Sequence, residues 1–127
     1  MSQRLGARIL VVEDDDSFRR AVTHMLERSG YHAVAVRDFA AAIEVIESRE
    51  RLDLLLTDIG LPAGTPHGLA VAQMARSRRP DLKVIYMSGT YDTSEIAAFA
   101  DDARILQKPF LRSTLIESLE AALAATR

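Results

Sequence analysis

Reactive side chains stand at the ends of short apolar runs in this sequence. Glu13 and Asp14 follow the first run, Asp58 follows the third, Ser88 the fourth and Lys108 the fifth. In open α/β sheets, ligands bind beyond the carboxyl ends of the strands. If the apolar runs are such strands, these side chains meet in one cleft.

The residue types in this cleft predict a particular chemistry. Three carboxylates close together repel one another unless a cation lies among them, and oxygen ligands without any cysteine favour a hard ion such as Mg²⁺. The hydroxyl of Ser88 and the ammonium of Lys108 could hydrogen-bond and neutralise an anion that the metal also holds. Together these groups indicate a phosphoryl-transfer site in which Asp58 is the nucleophile.

The elements that must position these residues alternate along the chain. Short β-branched and Leu-rich runs predict five strands, and the longer segments after them have helical spacing. This pattern predicts an α/β fold of five βα units, with a parallel sheet covered on both faces. The strands are expected at about residues 8–12, 32–36, 53–57, 83–87 and 104–107.

Caps and apolar faces mark the helices. Asp38 is expected to cap the second helix, over about residues 39–49, and Asp92 with Glu95 resembles a capping box that opens a short fourth helix. Gly30 can end the first helix, over about residues 17–29, in a left-handed conformation. Pro80 ends the third helix, which begins at residue 67 or 68. The apolar faces of the first and last helices comprise Phe18, Ala21, Val22, Met25 and Leu26, and Leu115, Ile116, Leu119 and Leu123.

Length and charge restrict the class of protein. With 127 residues, 48% of them hydrophobic, we expect one domain over residues 1–127 and no effector domain. A formal charge of -2 gives no electrostatic reason to expect nucleic acid or an anionic membrane as a partner. No apolar run approaches the ~20 residues that span a bilayer, and we expect a cytoplasmic protein.

Four short segments contain the reactive residues: Ile9-Leu10-Val11-Val12-Glu13-Asp14, Leu56-Thr57-Asp58, Tyr86-Met87-Ser88-Gly89 and Gln107-Lys108-Pro109-Phe110. These segments are similar to the defining segments of response-regulator receiver domains, the CheY-like superfamily of two-component signalling. The resemblance covers nearly the whole chain and implies a flavodoxin-like, doubly wound sheet with strand order 2-1-3-4-5 and five helices.

The resemblance implies how Mg²⁺ would be held. Glu13 would hold the ion mainly through water and Asp14 more directly. Asp58 would be both metal ligand and phosphoacceptor, and the backbone carbonyl of Gly60 would be the remaining protein ligand.

The resemblance also implies how the phosphoryl group would be held and where it comes from. Ser88 would contact a phosphoryl oxygen, and Lys108 would pair with Asp58 before phosphorylation and with the phosphoryl group afterwards. The Lys108-Pro109 bond would be cis. The donor would be a histidine kinase or a histidine phosphotransfer protein, and the output would be contact with a downstream protein. Such a protein is a phosphoacceptor regulator, not an enzyme, and is a monomer or weak dimer.

Other classes of function fit the sequence less well. An aspartyl-nucleophile phosphatase of the haloacid dehalogenase-like family typically has a second Asp two residues after the nucleophile, where this chain has Gly60. A flavodoxin-like cofactor binder has its phosphate loop after the first strand, where this chain has four acids. Within the receiver class, a free-standing regulator is favoured over the receiver module of a hybrid histidine kinase.

Other polar residues are given structural interpretations. Asp15 and Asp16 are interpreted as a helix cap and a first-turn acid rather than as metal ligands. His24, His32 and His67 lie on different elements, and we interpret none of them as a ligand or phosphoryl carrier.

One position departs from the pattern of the family. Many receivers have an aromatic residue three before the lysine that turns inward on activation, and this chain has Ile105 there. A β-branched aliphatic side chain cannot offer the same alternative surfaces. We therefore expect output through residues 89–93 and the helix after them, with Tyr91 as the mobile aromatic residue.

Overall fold

A computed structural model describes residues 6–60, 68–89 and 104–124 of the chain. The predicted helix after Asp92, His67 and Tyr91 lie outside the described residues. The described elements are β1 (Arg8–Val12), α1 (Asp16–Arg28), β2 (His32–Val36), α2 (Phe39–Glu47), β3 (Leu54–Asp58), α3 (Gly68–Arg78), β4 (Lys83–Ser88), β5 (Arg104–Gln107) and α4 (Arg112–Ala124).

The five strands form one parallel sheet in the order β2-β1-β3-β4-β5, which confirms the predicted fold class. The chain moves from β1 to β2 on one side and then to β3 on the other. The order therefore reverses at β1, and a crevice opens between the carboxyl ends of β1 and β3. Val12 pairs with Thr57, so the next residue of each strand, Glu13 and Asp58, enters this crevice.

Apolar side chains of the central strands point alternately to the two faces of the sheet. Leu54 and Leu56 of β3 belong to the core under α1 and α4, and Leu55 belongs to the core under α2 and α3. All five residues of β3 are buried, which explains why the strand opens with three consecutive leucines. The central strands are thus held from both sides and give the site a rigid base.

Short polar side chains begin the first two helices. The Asp15 carboxylate accepts hydrogen bonds from the N–H groups of Ser17 and Phe18, at 3.0 and 3.4 Å. The Asp38 carboxylate accepts one from the N–H of Ala41 at 2.9 Å. These bonds confirm the cap interpretation of both aspartates. Gly30 has a φ of 92°, which confirms its left-handed role after α1.

Three details of the predicted elements were wrong. Ala21 is exposed, because the buried stripe of α1 is centred on Val22 and Leu26. Helix α2 ends two residues earlier than predicted, because the hydroxyl of Ser48 donates to the carbonyl of Val45 at 2.7 Å. Asp53 precedes β3, and its carboxylate accepts the N–H of Arg8 at 2.8 Å.

Two arginine side chains join neighbouring segments near the amino-terminal edge of the sheet. Arg8 donates from Nε to the carbonyl of Arg51 at 2.8 Å and pairs with Glu50. Arg79 donates from Nε to the carbonyl of Ile46 at 2.9 Å and from Nη2 to that of Ser48 at 2.8 Å. The guanidinium of Arg79 thus occupies carbonyl groups that the end of α2 leaves unpaired.

None of the helices within residues 6–60, 68–89 and 104–124 has the length and apolarity needed to cross a membrane.

Candidate functional site

Three carboxylates converge at the carboxyl edge of the sheet. Glu13, Asp14 and Asp58 each offer an oxygen, and these oxygens lie within 4.8 Å of one another. Glu13 is 1% exposed and Asp58 6%, whereas Asp14 is half-buried. The structure thus brings together the three acids that the strand ends predicted, and an all-oxygen donor set of this kind suits Mg²⁺.

The Lys108 ammonium lies between two of these carboxylates. Its Nζ is 2.7 Å from Oε1 of Glu13 and 3.3 Å from Oδ1 of Asp58, and the side chain is 20% exposed. The sequence predicted pairing with Asp58, but the shorter contact is with Glu13. Oε2 of Glu13 accepts the N–H of Asp15 at 3.1 Å, so both of its oxygens are hydrogen-bonded.

Burial and charge shift the pKa values of this ion pair. Burial raises the pKa of Glu13, and the charge of Asp58 adds to that rise, although hydrogen bonds from Lys108 and the Asp15 N–H oppose it. Burial alone lowers the pKa of Lys108, but the hydrogen bond with Glu13 and the charges of Asp58 and Glu13 outweigh it and raise this pKa overall. Lys108 is therefore a cation at neutral pH.

Main-chain bonds fix the remaining predicted residues around Asp58. The N–H of Gly60 donates to Oδ1 of Asp58 at 3.4 Å. Ser88 ends β4 and is 1% exposed, and its carbonyl accepts the N–H of Lys108 at 2.8 Å. The residues that would supply a hydroxyl and an ammonium are thus joined by one backbone hydrogen bond. The Lys108-Pro109 peptide bond is cis, as predicted.

A glycine lets α3 approach the main chain of Asp58 closely. The N–H of Gly68 donates to the carbonyl of Ile59 at 3.2 Å. A Cβ atom at Gly68 would lie 2.1 Å from the carbonyl oxygen of Asp58, a distance that no real side chain could tolerate. Only glycine therefore fits at the first residue of α3 with the backbone in this position.

Two aromatic residues beside Lys108 were missed by the sequence analysis. Nζ of Lys108 lies 4.7 Å from the centroid of the Phe18 ring, and Phe110 meets Phe18 edge to face at a centroid distance of 5.5 Å. The sequence placed Phe18 only on the apolar face of α1. Nothing in the residue types shows a contact between residues so far apart in the chain.

Other predicted residues lie away from the carboxylates or outside the described residues. His24 and His32 are exposed on α1 and β2, and His67 is outside the described residues. Ile105 of β5 is half-buried and packs against the core under α2 and α3. An open depression of about 690 Å³ lies along α1, but none of the three carboxylates lines it.

Comparisons with known proteins agree with this geometry. The response regulator receiver domain family matches residues 9–120. The response regulator receiver protein CpdR of Brucella abortus (strain 2308) is 36% identical over 123 residues, covering 93% of this chain and 98% of CpdR. Response regulator MprA of Mycobacterium ulcerans (strain Agy99) is 33% identical, and the match covers 97% of this chain but 53% of MprA.

A solved structure shows the same likeness. The crystal structure of a response regulator receiver protein from Sinorhizobium medicae WSM419 has a TM-score of 0.86 at 30% identity, covering 94% of this chain and 96% of that one. The family match, the relatives and the shared fold confirm the resemblance seen in the sequence. This chain belongs to the response regulator receiver domain family of two-component signalling.

Proposed function

We propose that this receiver domain is a phosphoacceptor switch that takes a phosphoryl group onto Asp58 and signals in the cytoplasm by contact with a downstream protein. The donor is a histidine kinase or a histidine phosphotransfer protein. One observation carries the proposal: the Lys108 ammonium lies 3.3 Å from Oδ1 of Asp58, in a cleft with two further carboxylates. A nucleophilic carboxylate beside a fixed cation suits the transfer of an anionic phosphoryl group.

Oxygen atoms of the cleft would hold the metal. Glu13, Asp14 and Asp58 supply carboxylates, and Gly60 supplies its carbonyl. Both oxygens of Glu13 already accept hydrogen bonds, which favours contact with the ion through water, whereas the half-buried Asp14 is the better direct ligand. When bound, Mg²⁺ would stabilise the negative charge on the phosphoryl oxygens.

The phosphoryl group would pass directly from the donor histidine to Asp58. An oxygen of Asp58 forms a bond to phosphorus while the bond from phosphorus to the donor histidine nitrogen breaks. The electron pair of that bond stays on the imidazole, which later takes a proton from water. Lys108 and Ser88 donate hydrogen bonds to the phosphoryl oxygens, and the new charge-assisted bonds stabilise the product.

Turnover as a phosphatase is less well supported. A hydrolase of this kind needs an acid or base two residues after the nucleophile, and that position is Gly60, whose N–H donates to Asp58 instead. We propose that the protein catalyses only its own phosphorylation and dephosphorylation.

The signal would leave the site as a shift between two conformations. Bonds from Ser88 and Lys108 to the phosphoryl group exist only in the active arrangement, and a bias of a few kcal/mol changes populations more than tenfold. Ile105 replaces the usual aromatic residue and packs against the core under α2 and α3. Output through residues 89–93, with Tyr91, stays a prediction because residues 90–103 lie outside the described part.

We also propose a free-standing receiver rather than a module of a hybrid kinase. The match to CpdR over 98% of its length supports this proposal, because that relative is no longer than a receiver domain. A genomic reading frame that continues into a kinase would refute it.

Phosphorylation by acetyl phosphate with Mg²⁺ tests the proposed acceptor. We expect wild type to incorporate acid-labile phosphate and Asp58→Asn to incorporate none. Asp16→Asn is the matched control, because Asp16 is an exposed acid near the same cleft, and it should incorporate as much as wild type. Incorporation by Asp58→Asn equal to wild type would refute the assignment.

Titration with Mg²⁺ tests the metal site separately. Asp14→Ala should weaken Mg²⁺ binding and slow incorporation without moving the phosphorylated residue. Unchanged Mg²⁺ affinity in Asp14→Ala would remove that residue from the ligand set and leave the acceptor assignment intact.

A further inference from the structure

The Lys108 ammonium contacts an aromatic ring as well as two carboxylates. Its Nζ lies 4.7 Å from the centroid of the Phe18 ring, within the range of a cation–π interaction. Glu13 accepts a hydrogen bond from the same ammonium, and Asp58 forms an ion pair with it at 3.3 Å. The ring therefore supplies a further attraction that uses none of the hydrogen-bonding capacity of the cation.

The ring of Phe18 is itself held in place. The N–H of Phe18 is bonded to the Asp15 cap, and the N–H of Asp15 is bonded to Glu13. Phe110 also meets the Phe18 ring edge to face, with an interplanar angle of 79°. The position of the ring thus depends on the start of α1, which directly follows Glu13 and Asp14 in the chain.

We propose that Phe18 is a positioning residue for Lys108, and that its ring holds the ammonium beside Asp58. Lysine has a flexible four-carbon side chain that loses much rotamer entropy when it is fixed. The Lys108 ammonium lies 3.3 Å from Asp58 before a phosphoryl group arrives. The side chain therefore does not have to move in from solvent when the phosphoryl group binds. The role in phosphorylation rests on the proposed function, but the contact itself does not.

Isosteric fluorination separates a cation–π contact from packing. Phenylalanine analogues with one, two and three ring fluorines at position 18 weaken the negative face of the ring and leave its shape nearly unchanged. With Mg²⁺, we expect the affinity for beryllofluoride to fall step by step, to about fivefold weaker for the trifluoro ring. If Phe18 only fills space, all three proteins will bind like wild type, and that result would overturn the proposal.

Ordinary substitutions provide the controls. Phe18→Leu should weaken beryllofluoride binding about fivefold, and Phe18→Trp should restore it because indole offers a stronger π face. Phe39→Leu is the matched control, since Phe39 is also half-buried but lies against the core on the other face of the sheet. An equal loss of affinity in Phe39→Leu would show a general packing effect and overturn the proposal.

Lysine spectroscopy tests the contact without any phosphoryl chemistry. Lys83 and Lys108 are the only lysines in the sequence, so selective labelling with ¹³C-lysine gives two side-chain signals. Ring current from Phe18 should shift the εCH₂ protons of Lys108 upfield of those of Lys83, and Phe18→Leu should remove the difference.

Beryllofluoride binding and the lysine signal test the proposed function and the contact separately. An unshifted Lys108 signal in wild type would overturn the contact with Phe18. A shifted signal in a protein that takes neither beryllofluoride nor phosphate would overturn the proposed function, and with it the role of Phe18 in phosphorylation.

Discussion

Gly68→Ala should strain the main chain that carries the proposed acceptor. The new Cβ atom would lie 2.1 Å from the carbonyl oxygen of Asp58 and 2.9 Å from the Cα of Ile59. Both neighbours are backbone atoms, so no side-chain rotation can relieve the overlap. Helix α3 must move away from β3, which also weakens the hydrogen bond from the Gly68 N–H to the carbonyl of Ile59.

The expected cost follows from two opposing effects. Inserting a methyl group into a tightly packed place costs about 1–3 kcal/mol, and a backbone overlap belongs at the upper end of that range. Alanine gains at most ~1 kcal/mol over glycine in a helix interior, and less at the first residue. We expect the free energy of unfolding to fall by about 2 kcal/mol, and the Tm by roughly 5–10 °C for a chain of this size.

Gly89→Ala is the matched control. Its Cβ atom would meet only Cδ of Lys108, at 4.0 Å, which is ordinary van der Waals contact. In urea unfolding followed by circular dichroism, Gly89→Ala should stay within ~0.5 kcal/mol of wild type. Gly68→Ala should also accept phosphate from acetyl phosphate more slowly, because the backbone of Asp58 is displaced. Equal urea midpoints for Gly68→Ala and wild type would refute the reasoning.

Four further substitutions test the electrostatics and the helix caps. Lys108→Met leaves Glu13 buried without its cation and should lower the free energy of unfolding by ~2 kcal/mol at pH 7. Because burial raises the pKa of Glu13, the loss in urea titrations should become smaller as the pH falls and Glu13 takes up a proton. Burial raises the pKa of Tyr86, so at about pH 10 the unfolded chain ionises this group more readily than the folded protein, and stability should fall as the pH rises through that value. Tyr86→Phe should reduce this fall in thermal melts. An unchanged dependence of Tm on pH in Tyr86→Phe would contradict the prediction. Asp15→Ala and Asp38→Ala should each lower the free energy of unfolding by about 1 kcal/mol, because each removes a helix cap. Only Asp15→Ala should also slow phosphorylation. Equal phosphorylation rates in the two variants would disprove the link from the α1 cap to the site.

The fold could be predicted because its signals are local. Continuous apolar runs such as that before Asp58 are typical of strands buried on both faces, and Asp38 and Gly30 mark helix ends by their own backbone chemistry. The details that were wrong depend on the surroundings of each residue. Ala21 has an apolar side chain but lies just off the buried stripe, and a small residue carries too little hydrophobic surface to decide on which side it falls.

The members of the site could be predicted, but not how they pair. Strand ends in a parallel sheet share one edge, so Glu13, Asp58 and Lys108 were expected to meet. Which carboxylate Lys108 approaches most closely depends on side-chain rotamers and on the N–H of Asp15, which turns Glu13 toward the ammonium. The ring of Phe18 over Lys108 depends in addition on packing between α1 and the segment after β5.

The arginine contacts at the amino-terminal edge of the sheet have a mechanical consequence. Arg8 ties the start of β1 to the segment before β3, and Arg79 ties the end of α3 to the end of α2. The proposed phosphorylation of Asp58 would act at the carboxyl end of β3, about five residues away along that strand. We therefore expect the proposed phosphorylation to displace the carboxyl edge of the sheet more than the amino-terminal edge. A partner that bound only the amino-terminal edge would then not distinguish the phosphorylated protein from the unmodified one.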